Sequence, residues 1–296
     1  MSSNKIGIVT VLYNSEKVLD DFFETLKKQT YKNFTLYIVD NNSPDNSLSK
    51  AKQLADKAWF ETKIIKNTEN YGVAKGNNQG IISALYDGCD YVLLSNNDVY
   101  LEPDTIRLLL EEHINVKADL SIPKIYFFDN PNIWCAGGRF TIINYSAKQY
   151  GYNKPDSMKY SKNRRISYAP TCFMLCNVQV FYDIGFMDEK YFVYFDDTDF
   201  VRRAKKSRKK LFYLPITSIK HKESVSTGKH SDFSFRFLYR NRIYYASKYL
   251  KFWKLFYIKE LIYDKIVRTF RMRKNKTQHE VIKNALREGF NLACAK

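Results

Sequence analysis

The chain has 296 residues, of which 45% are hydrophobic and 27% charged, with 48 Lys+Arg against 31 Asp+Glu for a net charge of +17. Only 11 Gly and 7 Pro stand beside 23 Tyr and 21 Phe, which excludes collagen-like, low-complexity and broadly disordered classes and allows one large domain, with or without an appendage. No apolar run approaches the ~18 residues of a membrane span, and the first residues lead straight into a strand-like segment with no apolar signal core, so a cytosolic protein is expected.

Lys5 to Leu12 is a β-branched run fit for a strand buried on both faces. Ser15 reads as the N-cap of a helix to about Gln29, with Val18, Leu19, Phe22, Phe23 and Leu26 at helical spacing. A second strand is predicted over Phe34–Val39, a polar helix over about 45–57, a strand near 62–65, a helix over about 74–86 and a strand over Tyr91–Ser95. Strands and helices alternating through short connectors predict a mostly parallel α/β sheet covered by helices on both faces.

The middle of the chain, about 121–220, is less regular. Asp156 to Arg165 reads as a mobile polar loop, Tyr168 to Cys176 as a strand, and Asp196 onward as a helix with acids in its first turn, where the helix dipole favours them. The five cysteines are odd in number, and Cys172 and Cys176 lack redox or zinc spacing, so all five are expected to be reduced. From residue 231 to 296 the pattern is helical, with aromatic and basic residues interleaved, and is set apart from a catalytic unit over 1–230. Between Arg236 and Lys276, thirteen Lys/Arg face only Glu260 and Asp264, a net +11.

In parallel sheets ligands bind beyond the carboxyl ends of the strands. Polar clusters follow three predicted strands there: Thr10 to Asn14, Asp40 to Ser43, and Asn96-Asn97-Asp98. The last is an oxygen-ligand cluster suited to a hard divalent ion completed by substrate phosphates. Asp196 and Asp197, on neighbouring positions of a helix start, point about 100° apart, so one is able to act as general base while the other holds a substrate hydroxyl.

The chain also resembles the family 2 inverting glycosyltransferases of GT-A (Rossmann-like) fold, nearest to a rhamnosyltransferase-like and galactofuranosyltransferase-like branch. The resemblance rests on an ordered set of motifs over about residues 5–245. These are Val9 to Ser15, Leu26 to Tyr31, Val39 to Ser43, Glu69 to Asn78, Leu93 to Asp98, Trp134 to Gly138, Ala169-Pro170, Met187 to Phe192, Phe195 to Phe200, His221 to Ser224 and Arg240-Asn241-Arg242.

The resemblance implies a role for each matching residue. Asp40 would accept the imide hydrogen of uracil or thymine, with Thr10, Tyr13, Asn14 and Asn42 lining the nucleoside pocket. Asn70, Gly72, Lys75 and Asn78 would approach the ribose and diphosphate, and Asn96 and Asn97 the donor. Asp98 matches the last acid of the Asp-x-Asp metal motif, with asparagines at the preceding positions, and His221 a histidine that completes the shell of Mn²⁺ or Mg²⁺. Asp197 would be the catalytic base, with Asp196 positioning the acceptor. Trp134 and Gly137-Gly138 would flank the sugar or acceptor cleft. The donor implied is dTDP-rhamnose first, then UDP-hexose or UDP-galactofuranose. The acceptor implied is a glycan or polyprenyl-linked glycan in bacterial cell-surface polysaccharide synthesis.

The basic aromatic region suits a helix lying in an anionic membrane interface, which places the protein at the inner face of the cell membrane. A nucleic-acid-binding protein is the competing class. Its charge would then be confined to the tail and the rim motifs would have no role, so no nucleic-acid partner is expected. A nucleotidyltransferase would carry a Gly-rich basic loop after the first strand, which Leu12-Tyr13-Asn14-Ser15 is not. A non-catalytic sugar-nucleotide binder stands as a third reading, disfavoured by the presence of Asp98 and Asp197. The oligomeric state is left open.

Overall fold

The computed structural model describes residues 4–141, 147–222, 231–271 and 276–295. The motif residues Glu223 and Ser224, and the side chains of Arg268, Arg271, Arg273, Lys274 and Lys276 in the basic run, lie outside the described residues. In chain order the first half comprises β1 (Ile6–Leu12), α1 (Leu19–Lys27), β2 (Phe34–Asp40), α2 (Ser47–Asp56), β3 (Glu61–Lys66), α3 (Gly72–Tyr86), β4 (Tyr91–Ser95), β5 (Val99–Leu101), α4 (Thr105–Asn115) and β6 (Leu120–Phe127). There follow β7 (Ile133–Cys135), β8 (Gly138–Phe140), β9 (Ala147–Gln149), β10 (Arg164–Arg165), β11 (Phe173–Asn177), α5 (Gln179–Ile184), α6 (Asp196–Lys206) and β12 (Leu211–His221). Helices α7 (Asp232–Tyr249), α8 (Trp253–Arg271) and α9 (Lys276–Cys294) complete it.

The main sheet runs β10-β12-β6-β11-β4-β1-β2-β3. Its pairings are parallel from β4 through β3 and between β6 and β12, and antiparallel at β11. β11 reverses between β4 and β6, so those two strands share a direction, and the ends of β1, β2, β4, β6 and β12 all open onto one rim. The predicted mostly parallel α/β sheet is therefore found, with β11 inverted inside it and the short strands β5, β7 and β10 antiparallel to their neighbours.

β1 and β2 are almost wholly buried, as a β-branched run covered on both faces requires. α3 lies close on β1 because its facing positions are glycines: a Cβ at Gly76 would meet Val11 at 2.8 Å and one at Gly80 would meet Val9 at 2.4 Å. α1 starts at Leu19 with Val18 as N-cap, not at Ser15. The Ser15 hydroxyl instead accepts from the Tyr13 amide at 3.3 Å, a local serine turn that competes with a helix start. The segment 156–165 is largely an irregular polar loop, as read, but it is anchored: Arg164–Arg165 pair with β12, Asp156 takes the Lys124 ammonium at 2.8 Å, and the Tyr213 hydroxyl donates to the Tyr160 carbonyl.

The C-terminal helices have a small core of their own, with Ile243, Ala246, Phe256, Ile282 and Leu286 buried among them. α7 also packs Tyr244 and Tyr245 on Tyr191, just before α6.

Candidate active site

The loops on the strand-end rim enclose a cavity of about 890 Å³, within the range of small-molecule sites. Its lining includes Tyr13 after β1, Asn41 after β2, Asn70 and Gly72 at the start of α3, and Asn96 to Asp98 after β4. Trp134, Tyr168, Phe192 to Thr198 and His221 also line it, with Phe233 and Leu238 reaching in from α7.

Asp98 and His221 meet because β5 pairs antiparallel with the end of β12, setting Val99 opposite His221. His221 Nε2 lies 3.1 Å from Asp98 Oδ1 and 3.4 Å from Asn96 Nδ2. Its ring is edge-on to Trp134 at 4.6 Å. Asp98 Oδ1 is buried with no geometrically sound hydrogen bond, and an oxygen so placed is one that invites a ligand. Among the described residues no three His, Cys, Asp or Glu side chains converge on one point. The lining contains Asp98, Asp196 and Asp197 and, among the described residues, no Lys or Arg.

Asp196 and Asp197 open α6, one turn of which follows a strained stretch. Phe192, Tyr194 and Phe195 have φ of 51, 62 and 66°, left-handed values that cost bulky residues energy and recur at functional sites. Asn241, fully buried on α7, holds this stretch: its Nδ2 lies 2.9, 2.7 and 2.8 Å from the carbonyls of Tyr191, Val193 and Tyr194. Arg240 Nε donates to Asn241 Oδ1 at 2.8 Å and fixes the amide's orientation. Gly72 packs against the same stretch at φ +82°, and a Cβ there would meet the Phe192 carbonyl at 2.4 Å.

The two carboxyls are electrostatically distinct. Burial and the neighbouring Asp197 charge push Asp196 up to about 7. Asp197 is also held above the ordinary carboxylate range by burial, opposed by hydrogen bonds. The Tyr168 hydroxyl donates to its Oδ2 at 2.9 Å, and the Thr198 amide and hydroxyl donate to Oδ1 at 2.5 and 2.9 Å. Tyr168 is itself set by the Gly138 carbonyl, which accepts its amide.

The sequence-predicted residues divide accordingly. Tyr13, Asn70, Gly72, Asn96, Asn97, Asp98, Asp196, Asp197 and His221 line the cavity, Asn97 with its amide donating to the Val11 carbonyl at 2.8 Å. Thr10 and Asp40 are buried behind the rim, each with a side-chain oxygen lacking a partner, Thr10 Oγ1 and Asp40 Oδ1. The register sets Leu12 opposite Asp40, so Thr10 and Asp40 share a face of the sheet.

The remaining predicted residues stand outside the lining. Asn14 and Asn42, both at φ 56°, are exposed turn residues, a conformation asparagine tolerates. The Lys75 ammonium sits 3.7 Å over the Tyr71 ring. Asn78 exchanges two 2.9 Å hydrogen bonds with the Met187 backbone, so it clamps α3 to that segment. Trp134 lines the cavity, whereas Gly137 and Gly138 support it from behind. Tyr168, Asn41, Asn77 and Asn241 were not anticipated as site residues, although each adjoins or belongs to a motif quoted above.

Comparison with known proteins identifies the family and the fold. Residues 7–185 match the family model "Glycosyl transferase family 2". The glycosyltransferase GlyG of Streptococcus pneumoniae serotype 4 is 24% identical over 196 residues, 64% of this chain and 62% of that protein. The low-salt glycan biosynthesis hexosyltransferase Agl10 of Haloferax volcanii is 23% identical over 254 residues, 82% of this chain and 77% of that one. Among solved structures, S. aureus TarS 1-349 in complex with UDP-GlcNAc is similar in fold, with a TM-score of 0.62 at 17% identity, covering 98% of this chain and 81% of that one. The chain thus spans a little under two thirds of the GlyG sequence.

Proposed function

The chain belongs to glycosyl transferase family 2, and we propose that it is an inverting, metal-assisted enzyme that moves a sugar from a dTDP- or UDP-sugar to a glycan or lipid-linked glycan acceptor of cell-surface polysaccharide. The observation that carries this reading is that an acid pair, Asp196 and Asp197, and a ligand pair, Asp98 and His221, face one cavity at the strand ends. TarS, a neighbour in fold, binds UDP-GlcNAc, which favours a pyrimidine nucleotide donor here. Asp40, buried with a partnerless Oδ1, suits the acceptor of a uracil or thymine imide hydrogen.

Asp98 and His221 would hold Mn²⁺ or Mg²⁺, whose charge when bound would offset that of the departing diphosphate. The donor set fits: a carboxylate and an imidazole supply two ligands, and diphosphate oxygens would complete the shell. With acids and no cation in the described lining, a diphosphate needs such a counter-charge to bind.

Asp197 takes the proton of the acceptor hydroxyl as that oxygen attacks the anomeric carbon. The bond from this carbon to the diphosphate oxygen breaks, and the nucleoside diphosphate leaves with the electron pair. A single displacement inverts the configuration. The raised range of Asp197 makes it a stronger base than an exposed aspartate, while Tyr168 and Thr198 fix its orientation. Asp196, held up to about 7, is able to share a hydrogen bond with the acceptor.

Release of nucleoside diphosphate from UDP- and dTDP-sugars, measured with Asp197→Asn alongside, tests the reading. The variant is expected to bind donor as the unaltered protein does and to lose about 10²- to 10⁴-fold in turnover. Undiminished turnover would remove Asp197 as the base.

A further inference from the structure

We propose that the outer face of α8 is a docking surface for an anionic lipid bilayer, on which the helix lies flat. This surface lies outside the catalytic cavity, and its assignment does not depend on which sugar is moved. Phe252, Leu255, Ile258, Ile262, Tyr263 and Ile266 are each between 49 and 66% exposed. At 100° per residue, positions 255, 258, 262 and 266 follow one another along a single stripe, with Phe252 and Tyr263 at its edge. Six large apolar side chains in one exposed strip are more than the scattered exposure normal for a soluble surface.

The charges on the helix sort by face. Lys251, Lys254, Lys259 and Lys265 are exposed beside the stripe. The acids are turned inward: Glu260 is 3% exposed and pairs with Arg242 at 3.0 Å, and Asp264 is 7% exposed. Trp253, Phe256 and Tyr257 occupy the inward side against α7 and α9. The outward face from 251 to 266 therefore presents only apolar groups and positive charge. This is the pattern of a helix whose apolar side enters the headgroup boundary while lysines extend to lipid phosphates. No helix among the described residues is long and apolar enough to cross a membrane, so the helix lies on the surface.

Charge complementarity selects this occupant. A second copy of the chain placed on the face would set lysines against lysines. Single-stranded nucleic acid would find the rings of Phe252 and Tyr263 at the edge, but the stripe itself, Leu255, Ile258, Ile262 and Ile266, offers none for a base to stack on.

The test is co-sedimentation of the whole chain with phosphatidylcholine vesicles, with and without phosphatidylglycerol, over a salt series. Binding is expected only with phosphatidylglycerol and is expected to weaken with salt. Leu255→Glu with Ile262→Glu should abolish it, and Lys251→Gln with Lys254→Gln should weaken it about thirty-fold, with nucleotide binding and circular dichroism unchanged. If the double glutamate variant does not fold, the lysine pair, being on the surface, carries the test. The proposal is overturned if the unaltered chain ignores anionic vesicles or if folded variants sediment as it does. It is equally overturned if the stripe instead supports self-association or RNA binding that the same variants remove.

Discussion

The Tyr168 hydroxyl donates to Asp197 Oδ2 at 2.9 Å, joining a residue on the strand-side wall of the cavity to the carboxyl at the start of α6. This bond stabilises the charged form of Asp197 against the burial that raises it. Tyr168→Phe should therefore push Asp197 further up. A base must be deprotonated to act, so activity is lost as pH falls through its titration. The acidic limb of the kcat/KM profile should move to higher pH by about one to two units in Tyr168→Phe. An unmoved limb would mean that another group titrates there.

Asn241 reaches the same helix start from the opposite side. Replacing it with leucine keeps the branched outline of the side chain and leaves the carbonyls of Tyr191, Val193 and Tyr194 without their donor. Asn241→Leu should cost at least about 2 kcal/mol in denaturant unfolding. Because the stretch carries Asp196 and Asp197, kcat should fall more than donor KM rises. Normal kcat in a destabilised protein would leave Asn241 with a structural role alone.

His113 makes a contribution to stability that is lost on mild acidification, opposite in sign to that of Asp196, which the fold holds up to about 7. The ring is buried, its Nδ1 is 2.7 Å from the Ser121 hydroxyl and its Nε2 has no partner. Burial holds it down to about 4, against about 6.5 in an unfolded chain. Between those values the unfolded chain binds the extra proton, so the contribution of His113 is full above pH about 6.5 and declines as pH falls toward 4. The unfolding free energy at pH 7.5 minus that at pH 5.0 should be smaller, with its sign kept, in His113→Leu than in the unaltered protein.

The rim was legible in the sequence because strand-following polar clusters and a parallel sheet together define one edge. Asp98 was read on that edge, whereas Asp196, Asp197 and His221 joined it through the family resemblance; all four line the cavity there, and only the β5–β12 pairing brings His221 beside Asp98. That pairing spans more than a hundred residues, and no local periodicity reports it. Lys75 and Asn78 show the opposite limit. They sit in the right loop and helix, but helical phase turns Asn78 toward Met187 and ring stacking turns Lys75 toward Tyr71. Ser15 carried a good capping side chain, yet its hydroxyl was taken by a local turn.

Asn241 was visible only as part of a motif, because its task is to satisfy carbonyls in a backbone conformation that aromatic residues rarely adopt. Nothing in Phe192 to Phe195 as a sequence announces three left-handed residues. The α8 face was foreshadowed by the charge count of the tail. The inward turn of Glu260 and Asp264 depends on packing against α7 and α9.

The central claim is a donor site for a uridine or thymidine diphosphate, and calorimetric binding of UDP, dTDP, GDP and CDP with Mn²⁺ and with chelator tests it most directly, since no acceptor is needed. The account predicts Mn²⁺-dependent binding of UDP or dTDP, little of GDP or CDP, and loss of the Mn²⁺ dependence in Asp98→Ala. Equal binding of all four, or of none under either condition, would contradict it.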